Sequence, residues 1–325
     1  MKILVTGGAG YIGSHTANKL VERGHEVIVL DNLEHGHVEA IRPSPLHIAS
    51  VGDPLALRST LPKVDGVIHF AAYTSVAESV KDPLKYYQNN LGETLSLISE
   101  LHVETQRRGK SIPLVFSSTA ATYGAVDSAD PITENADKNP INPYGFGKLA
   151  VERILSDMYA AYHSIPNVCF RYFNAAGAHP SGQNGEDHEP ETHLIPLILK
   201  AIQDSGTIKV FGTDYPTPDG TCIRDYIHVE DLADAHIKAI EHLSLVGGCH
   251  SLNLGSGLGY SVKEVIDMAL HVTKGNLTVE ETARRAGDPA VLVADPSNAH
   301  KVLGWKASRS DLKLIIGDAW KWHSK

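Results

Sequence analysis

Tyr144 and Lys148 lie four positions apart in a stretch that begins with Asn142-Pro143, a pair typical of a helix start. Apolar residues then recur with helical spacing at Val151, Ile154, Leu155 and Met158. Side chains four positions apart on a helix share one face, so we expect the phenol and the amine to lie one turn from each other. Such a pair could move a proton if a positive charge stabilised the phenolate by on the order of 4 kcal/mol, because tyrosine titrates near 10. An amphipathic surface edge has the same residue types and is the alternative.

Three hydroxyl side chains stand at the end of an apolar run that reads as a strand, Leu114 to Ser118, followed by Thr119. In open parallel sheets, ligands bind beyond the carboxyl ends of the strands. Ser117, Ser118 and Thr119 are therefore candidates for ligand contacts, although hydroxyls at strand ends are as often local caps.

A glycine cluster follows the first apolar run of the chain, Lys2 to Thr6, and precedes a helical pattern that ends near Gly24. Gly7, Gly8, Gly10 and Gly13 fit both G-x-G-x-x-G and G-x-x-G-x-x-G. Glycines permit a tight turn and a close approach of backbone N–H groups to a pyrophosphate, and the helix N-terminus favours its charge. The context of strand and helix predicts dinucleotide binding; a purely structural glycine turn is the alternative.

An acidic residue ends the next apolar run, Glu26 to Asp31. Asp31 lies about where a dinucleotide site places a carboxylate on the adenosine ribose, and its charge would repel the additional phosphate of NADP. The sequence therefore predicts NAD as the cofactor, with a turn residue before Asn32 as the alternative reading of Asp31.

Further strands are predicted at 47–51 and 65–72, and a helix from Asp82-Pro83 to about His102 carries Asn89 and Asn90 near its start. Alternation of buried strands with helices predicts parallel β-α-β units. The fold class is therefore α/β, a Rossmann-like doubly wound parallel sheet.

The second half of the chain reads as a smaller α/β substrate domain. After a strand at 168–173 the sequence is irregular and polar to about His193, and helices are predicted at 194–203, 231–243 and 262–270. We expect an NAD-binding domain over residues 1–175 and a smaller substrate-binding domain over 176–325, with about 224–243 packing back onto the first. Gly255 to Gly259 resembles a phosphate loop, but a turn into the following helix explains it better because no acidic strand end follows.

Composition narrows the function classes. A length of 325 residues favours two domains, and a net charge of -9 with a pI near 6.0 argues against nucleic-acid binding. Three scattered cysteines indicate reduced thiols, and neither a leader nor a membrane-length apolar run is visible, so we expect a cytoplasmic protein. His188 and His193 are five apart with Pro190 between them, which does not fit a helical zinc site; we expect a polar loop and no metal.

Gly7 to Gly13, Thr119 and Tyr144-x-x-x-Lys148, in this order, resemble the extended short-chain dehydrogenase/reductase family. Longer motifs resemble the members of this family that act on nucleotide sugars. These motifs span residues 6–15, 31–33, 171–174, 177–182, 211–217 and 224–228. The resemblance spans almost the whole chain.

This resemblance implies NAD-dependent 4-epimerisation of a UDP-hexose, with UDP-glucose and UDP-galactose as the pair. Tyr144 would take the 4-hydroxyl proton, Lys148 would hold the nicotinamide ribose and lower the phenol pKa, and Thr119 would bridge sugar and tyrosine. Transient oxidation at C4, rotation of the 4-keto sugar and return of the hydride would leave NAD tightly bound and not consumed. A homodimer through helices of the first domain is implied as well.

The resemblance also implies binding residues. For the cofactor they are Gly7, Gly10, Tyr11, Ile12, Gly13, Asp31, Asn32, Leu33, Asp53, Phe70, Ala71, Ala72, Asn89, Lys148 and Phe173. For the substrate they are Thr119, Tyr144, Asn174, His193, Leu194, Phe211, Arg224, Tyr226, Arg285, Asp288 and Leu292.

Two positions depart from the family pattern, and a third leaves the choice of substrate open. Thr74 stands where some members carry a lysine, and His193 replaces a common Asn. Leu292 falls at a position associated with N-acetyl selectivity, so UDP-N-acetylhexosamine and UDP-pentose stay open as alternative substrates. A dehydratase is disfavoured because Ala120-Ala121 stand where dehydratases carry Asp-Glu, and a catalytically silent NAD sensor would be expected to lack Tyr144 or Lys148.

Overall fold

A seven-stranded sheet is the largest element of the computed structural model, which describes residues 1–41, 43–126, 130–285 and 287–325. Its strands are β1 (Lys2–Thr6), β2 (Glu26–Asp31), β3 (Leu46–Ile48), β4 (Gly66–His69), β5 (Leu114–Thr119), β6 (Asn167–Tyr172) and β11 (Cys249–Leu254). Their order is β11-β6-β5-β4-β1-β2-β3. β1 pairs in parallel with β2 on one side and β4 on the other, so the chain reverses its direction of travel across the sheet at β1. Ligands of doubly wound folds bind at such a reversal.

The smaller strands form three short sheets. These strands are β7 (Asn174–Ala176), β8 (Thr207–Phe211), β9 (Ile223–Arg224), β10 (Tyr226–His228), β12 (Tyr260–Ser261), β13 (Thr278–Thr282) and β14 (Val291–Leu292). β7 pairs with β10, β8 pairs with β13, and β9 lies between β12 and β14. The fold class predicted from the sequence is confirmed, a Rossmann-like sheet followed by smaller mixed sheets.

Eleven α-helices occur in the described part of the chain. They are α1 (Tyr11–Glu22), α2 (Pro54–Thr60), α3 (Val76–Lys81), α4 (Pro83–Tyr86), α5 (Thr94–Arg108), α6 (Pro143–Tyr162), α7 (Leu194–Gln203), α8 (Val229–Val246), α9 (Val262–Thr273), α10 (Ser297–Leu303) and α11 (Leu312–His323). Short 3₁₀ turns cover Val38–Ile41, Leu61–Lys63 and Ala120–Thr122. None of the described helices combines the length and the apolar content needed to span a lipid bilayer.

The helix predicted from Asp82 to about His102 differs from the structure in two ways. It begins at Pro83, after the Asp82 side chain accepts from the Lys85 N–H, but a π-helical segment interrupts it at Tyr87–Glu93. The α-helical geometry then resumes and ends later, at Arg108, where Gly109 adopts a left-handed conformation. π-segments inside helices are frequent at functional sites, and this one contains Asn89 and Asn90.

The chain forms two compact units, each built from several segments. The first comprises residues 1–124, 137–171 and 233–252, and its core includes Leu4, Val67, Leu97, Phe116 and Leu155. The second comprises residues 125–136, 172–232 and 253–325, and its core includes Ile198, Val210, Val265 and Ile315. Residues 125–136 thus belong to the second unit and residues 233–252 to the first. The sequence predicted a boundary at residue 175 with a return at about 224–243.

The glycine cluster at 255–259 in the second unit surrounds a buried carboxylate. Asp225 accepts from the backbone N–H groups of Ser256 at 2.8 Å, Gly257 at 3.1 Å and Ala294 at 3.1 Å. Burial raises the pKa of Asp225, and these hydrogen bonds oppose the rise. The N–H groups that a phosphate would need are therefore bonded to the protein's own carboxylate.

We expect Gly13→Ala to lower the free energy of unfolding by about 2–3 kcal/mol, because a Cβ at Gly13 would lie 2.1 Å from the Gly7 carbonyl oxygen. Gly317→Ala is the matched control: it lies inside α11 with no neighbour within 4 Å of the new Cβ, and should raise that free energy by about 0.5–1 kcal/mol. Urea unfolding followed by circular dichroism measures both. Equal midpoints for the two variants would contradict this steric argument.

Candidate active site

The glycine loop after β1 makes a backbone-to-backbone contact at the point where the sheet reverses. Gly7 has a φ of +66°, and a Cβ there would lie 2.4 Å from the Ala71 nitrogen, just after β4. Gly13 is equally restricted by the Gly7 carbonyl. Gly10 precedes α1 and has space around it, with its nearest neighbour 3.5 Å from an added Cβ. The loop thus leaves the uncapped N-terminus of α1 accessible to an anion.

Asp31 ties the end of β2 to this loop. One carboxylate oxygen accepts from the Ala9 N–H at 2.9 Å and the other from the Leu33 N–H at 2.8 Å. Leu33 adopts a φ of +62°, which is uncommon for a branched side chain and places its N–H against the carboxylate. Asp31 is therefore fixed in position before any ligand binds.

Asn90, which the sequence analysis did not assign to a site, holds the segment after β4. Its side-chain oxygen accepts from the Tyr73 N–H and its amide donates to the Tyr73 carbonyl, both at 2.9 Å. These two bonds fix the segment 70–73, which includes the expected cofactor contacts Phe70, Ala71 and Ala72. Its neighbour Asn89 donates to Asn90 at 3.1 Å.

His69 links β1 to the π-segment below this loop. Thr94 donates its hydroxyl to the Asn90 carbonyl, so it accepts from Nε2–H of His69 at 2.9 Å. The other ring nitrogen, Nδ1, then accepts from the Thr6 hydroxyl at 2.6 Å. Burial, together with the charge of Lys148, lowers the pKa of His69 to about 3, so the imidazole is neutral.

Tyr144, Thr119 and Lys148 come together as the sequence predicted. α6 begins at Pro143, capped by the Asn142 side chain, and presents Tyr144 to a hydrogen bond with Thr119 at the end of β5. Lys148, one turn further on and 2% exposed, donates to the Ser117 carbonyl at 2.7 Å and lies 4.8 Å from the Phe116 ring centroid. The phenol, a hydroxyl and an amine thus meet at the carboxyl end of β5.

Burial displaces the pKa of both ionisable groups toward their neutral forms. It raises the pKa of Tyr144, and the hydrogen bond with Thr119 opposes this rise. It lowers the pKa of Lys148 to about 7. The net shift of the phenol pKa is thus upward, and the lowering expected from Lys148 stays a prediction.

Ser118 does not face a ligand, contrary to expectation. Its hydroxyl contacts the carboxylate of Glu152, which forms a buried ion pair with Arg171 through Nε at 3.0 and 3.1 Å and Nη2 at 2.5 Å. Arg171 also donates to the Tyr123 hydroxyl at 3.0 Å. The network joins β5, α6 and β6, and so holds the elements that carry Thr119 and Lys148.

The remaining cofactor candidates are spread over several elements. Tyr11 and Ile12 lie in the first turn of α1, and Asn32 and Asn89 line a cavity of about 380 Å³. Asp53 caps α2 by accepting from the Leu55 N–H at 2.8 Å. Phe173 falls in the second unit.

Five of the substrate candidates cluster in the second unit. The Arg285 guanidinium lies 3.9 Å from the Phe211 ring centroid, and Arg224 pairs with Asp288. Leu292 is opposite Arg224 in the β9–β14 pairing. Two guanidinium groups and an aromatic ring suit a nucleoside diphosphate, because arginine binds phosphate through two parallel hydrogen bonds and aromatic rings stack on bases.

The other substrate candidates are less uniform. Asn174 donates to the Asp225 carbonyl at 3.0 Å, and Leu194 is the first residue of α7. His193 precedes α7 and pairs with Glu186. Tyr226 is only 5% exposed and packs in the core of the second unit, and its place beside a nucleotide base stays a prediction.

Comparison with known proteins adds an independent observation. A model of the NAD dependent epimerase/dehydratase family matches residues 3–255. The UDP-glucose 4-epimerase of Halalkalibacterium halodurans is 47% identical over 100% of this chain and 96% of its own length.

Two crystal structures are similar over their full length. That of UDP-glucose 4-epimerase from Brucella ovis in complex with NAD has a TM-score of 0.92 and 46% identity over 98% of each chain. The enzyme from Bifidobacterium longum in complex with NAD⁺ and UDP has a TM-score of 0.91 and 37% identity over 100% of this chain and 98% of that one. The chain therefore belongs to the NAD dependent epimerase/dehydratase family.

Proposed function

We propose that this protein is an isomerase that interconverts UDP-glucose and UDP-galactose by transient oxidation at C4 of the hexose. The observation that carries the proposal is the hydrogen bond between Tyr144 and Thr119 beside the buried amine of Lys148. A phenolate can take the hydroxyl proton of a secondary alcohol while hydride leaves its carbon, and the phenol so formed can return the proton when hydride comes back on the other face.

The first unit has the features that NAD requires. Gly7 and Gly13 have no room for a side chain, Gly10 leaves the N-terminus of α1 open, and Asp31 is fixed at the end of β2. When bound, oxidised NAD supplies the hydride acceptor for C4 and a positive charge next to the phenol. Lys148 would hold the nicotinamide ribose through its ammonium hydrogens, and Asp31 the adenosine ribose.

Tyr144 is the general base and then the general acid. Its phenol is neutral in the structure, because burial raises its pKa. Reaction therefore needs a positive charge beside the phenol that lowers its pKa, so that its own proton is lost to solvent and the phenolate can take the 4-hydroxyl proton. Thr119 donates to or accepts from the phenol and aligns it with the sugar oxygen. The same proton returns to the 4-oxygen when the opposite epimer forms.

Residues of the second unit hold the UDP group. Arg224 and Arg285 bind the diphosphate, Phe211 supports the base, and Asp288 binds the uridine ribose. Asn174, His193 and Leu194 contact the sugar side. Anchoring the substrate through the nucleotide leaves the 4-keto hexose able to turn and present its other face, which epimerisation needs.

Other activities have weaker support. Ala120 and Ala121 cannot exchange protons, which disfavours a dehydratase. A silent NAD-binding sensor would not need Tyr144 and Lys148 to be brought together. Leu292 is intermediate in size, so UDP-N-acetylhexosamine and UDP-pentose are the alternative substrates to assay in parallel.

Tyr144→Phe should lower kcat by about 100- to 10,000-fold, because it removes the proton acceptor and leaves the ring. Tyr162→Phe, an exposed tyrosine on the same helix, is the control and should keep full activity. The assay follows conversion of UDP-galactose to UDP-glucose without added NAD. Net release of NADH without an epimeric product would overturn the proposed function.

Asp31→Asn should shift the preference for NAD over NADP by about tenfold or more, because it removes the charge that repels the 2′-phosphate. Asp157→Asn, on the exposed part of α6, is the control. The nucleotide released on denaturation identifies the resident cofactor in each protein. A wild-type protein that releases NADP would contradict the role assigned to Asp31.

A cytoplasmic homodimer is part of the same proposal. Leu95 and Val103 on α5 and Phe146 on α6 are about half exposed, and exposed apolar side chains on neighbouring helices suit an interface between copies. The free cysteines Cys169, Cys222 and Cys249 are consistent with a reducing compartment.

The double variant Leu95→Glu/Val103→Glu should therefore be monomeric, whereas Leu245→Glu, at an exposed position of α8, should stay dimeric. Size-exclusion chromatography with light scattering distinguishes the two states. A monomeric wild-type protein would contradict the proposed dimer.

A further inference from the structure

The loop before α7 brings four metal-binding side chains together. Glu186, His188, Glu191 and His193 each offer one donor atom, and these four atoms lie within 4.8 Å of one another. The five-residue spacing of the two histidines excludes a helical zinc site, but this segment is a loop that folds back on itself. The sequence spacing therefore did not reveal the cluster.

The separations between donor atoms are of two kinds: Nδ1 of His193 contacts Oε1 of Glu186 directly as an ion pair, whereas His188 stands further from both carboxylates. Nε2 of His188 lies 3.3 Å from Oε1 of Glu186 and 3.5 Å from Oε1 of Glu191. A charge-assisted hydrogen bond would bring such atoms to about 2.7–2.9 Å. Donors held tetrahedrally at about 2.0–2.1 Å from one metal ion lie roughly 3.3–3.4 Å apart. The two His188 separations match the second distance.

The hydrogen bonds around the cluster orient its donors as they do in metal sites. Nδ1 of His188 donates to the Pro190 carbonyl at 3.1 Å, which directs Nε2 toward the two carboxylates. The Glu191 carboxylate accepts from the N–H groups of Thr192 at 2.6 Å and His193 at 2.7 Å. A second hydrogen bond from each ligating imidazole and carboxylate is typical of protein metal centres.

Glu186 is rigid and almost inaccessible to water. Its side chain is 3% exposed, and Trp322 donates its indole N–H to the Glu186 carbonyl at 2.9 Å. A Cβ at Gly185 would lie 2.4 Å from the Trp322 ring, so the indole packs directly against the backbone before Glu186. A buried carboxylate needs a cation beside it, and in this structure the imidazoles of His188 and His193 lie against it.

We propose that Glu186, His188, Glu191 and His193 bind one divalent first-row transition metal ion of the Zn²⁺ type. Two imidazole nitrogens favour such an ion over Mg²⁺ or Ca²⁺, which take oxygen ligands. The ion would fasten the loop to the N-terminus of α7. It is a structural ion that goes beyond the proposed epimerase reaction, although it shares His193 with the residues proposed for the sugar side.

The test uses the full-length protein with its cofactor, treated with a chelator and then dialysed against increasing Zn²⁺. One tight equivalent is expected for the wild type and for His179→Gln, a histidine of the same segment that pairs with Ser181 instead. His188→Gln should weaken that equivalent at least about tenfold. Glu186→Gln should do the same, and Co²⁺ should give the intense visible absorption of a tetrahedral site only in the first two proteins.

Thermal unfolding provides a second readout, independent of epimerase activity. Zn²⁺ should raise the midpoint of the wild type and of His179→Gln but not that of His188→Gln. Equal Zn²⁺ binding by the wild type and His188→Gln would overturn the proposal, because the metal would then be held by scattered surface histidines. If Glu186→Gln fails to fold, His188→Gln still decides the question, because its side chain is one-quarter exposed.

Discussion

The contact between Gly7 and the backbone after β4 is the constraint on which the first unit depends. Two strand ends meet there without any side chain between them, since a Cβ at Gly7 would lie 2.4 Å from the Ala71 nitrogen. Several hydrogen bonds maintain this approach: Asp31 holds the glycine loop, Asn90 holds Tyr73, and His69 connects β1 to the π-segment. The close approach of the two strand ends is thus maintained by contacts within the protein.

The proposed catalytic groups, Tyr144 and Lys148, depend on burial in a different way. Tyr144 and Lys148 are both withdrawn from water, and burial shifts the pKa of each toward its neutral form. A buried group of this kind is sensitive to any charge that enters its surroundings, because little solvent screens it. The ion pair of Glu152 with Arg171 is fully compensated and keeps α6 in register with β5 and β6. We therefore expect the protonation of Tyr144 and Lys148 to change when a charged ligand binds beside them.

The sequence predicted the parts of the site that local pattern determines. Strand-glycine-helix order, the acidic end of β2, and the four-residue spacing of Tyr144 and Lys148 all follow from regular backbone geometry. It did not predict Asn90, whose role depends on a π-turn, or Ser118, which meets Glu152 from another element. The burial of Tyr226 was not evident either, because a three-residue strand does not reveal which side faces a core. The sequence did not predict the cluster of glutamates and histidines before α7, because residues in a loop do not repeat with a regular spacing.

The two glycine clusters show why composition alone does not identify a ligand. Each cluster lies beside a buried aspartate, but the two carboxylates accept different numbers of backbone N–H groups from their clusters. Asp225 accepts from three backbone N–H groups around the second cluster, including two within it, so that loop already holds an anion. In the first cluster Asp31 accepts from the Ala9 N–H, and Gly7 and Gly10 donate their N–H groups to backbone carbonyls, but no side chain caps the N-terminus of α1. A helix N-terminus of this kind is available to a phosphate, whereas the second loop is satisfied from within. What distinguishes a binding loop from a structural one is therefore where its N–H groups already donate.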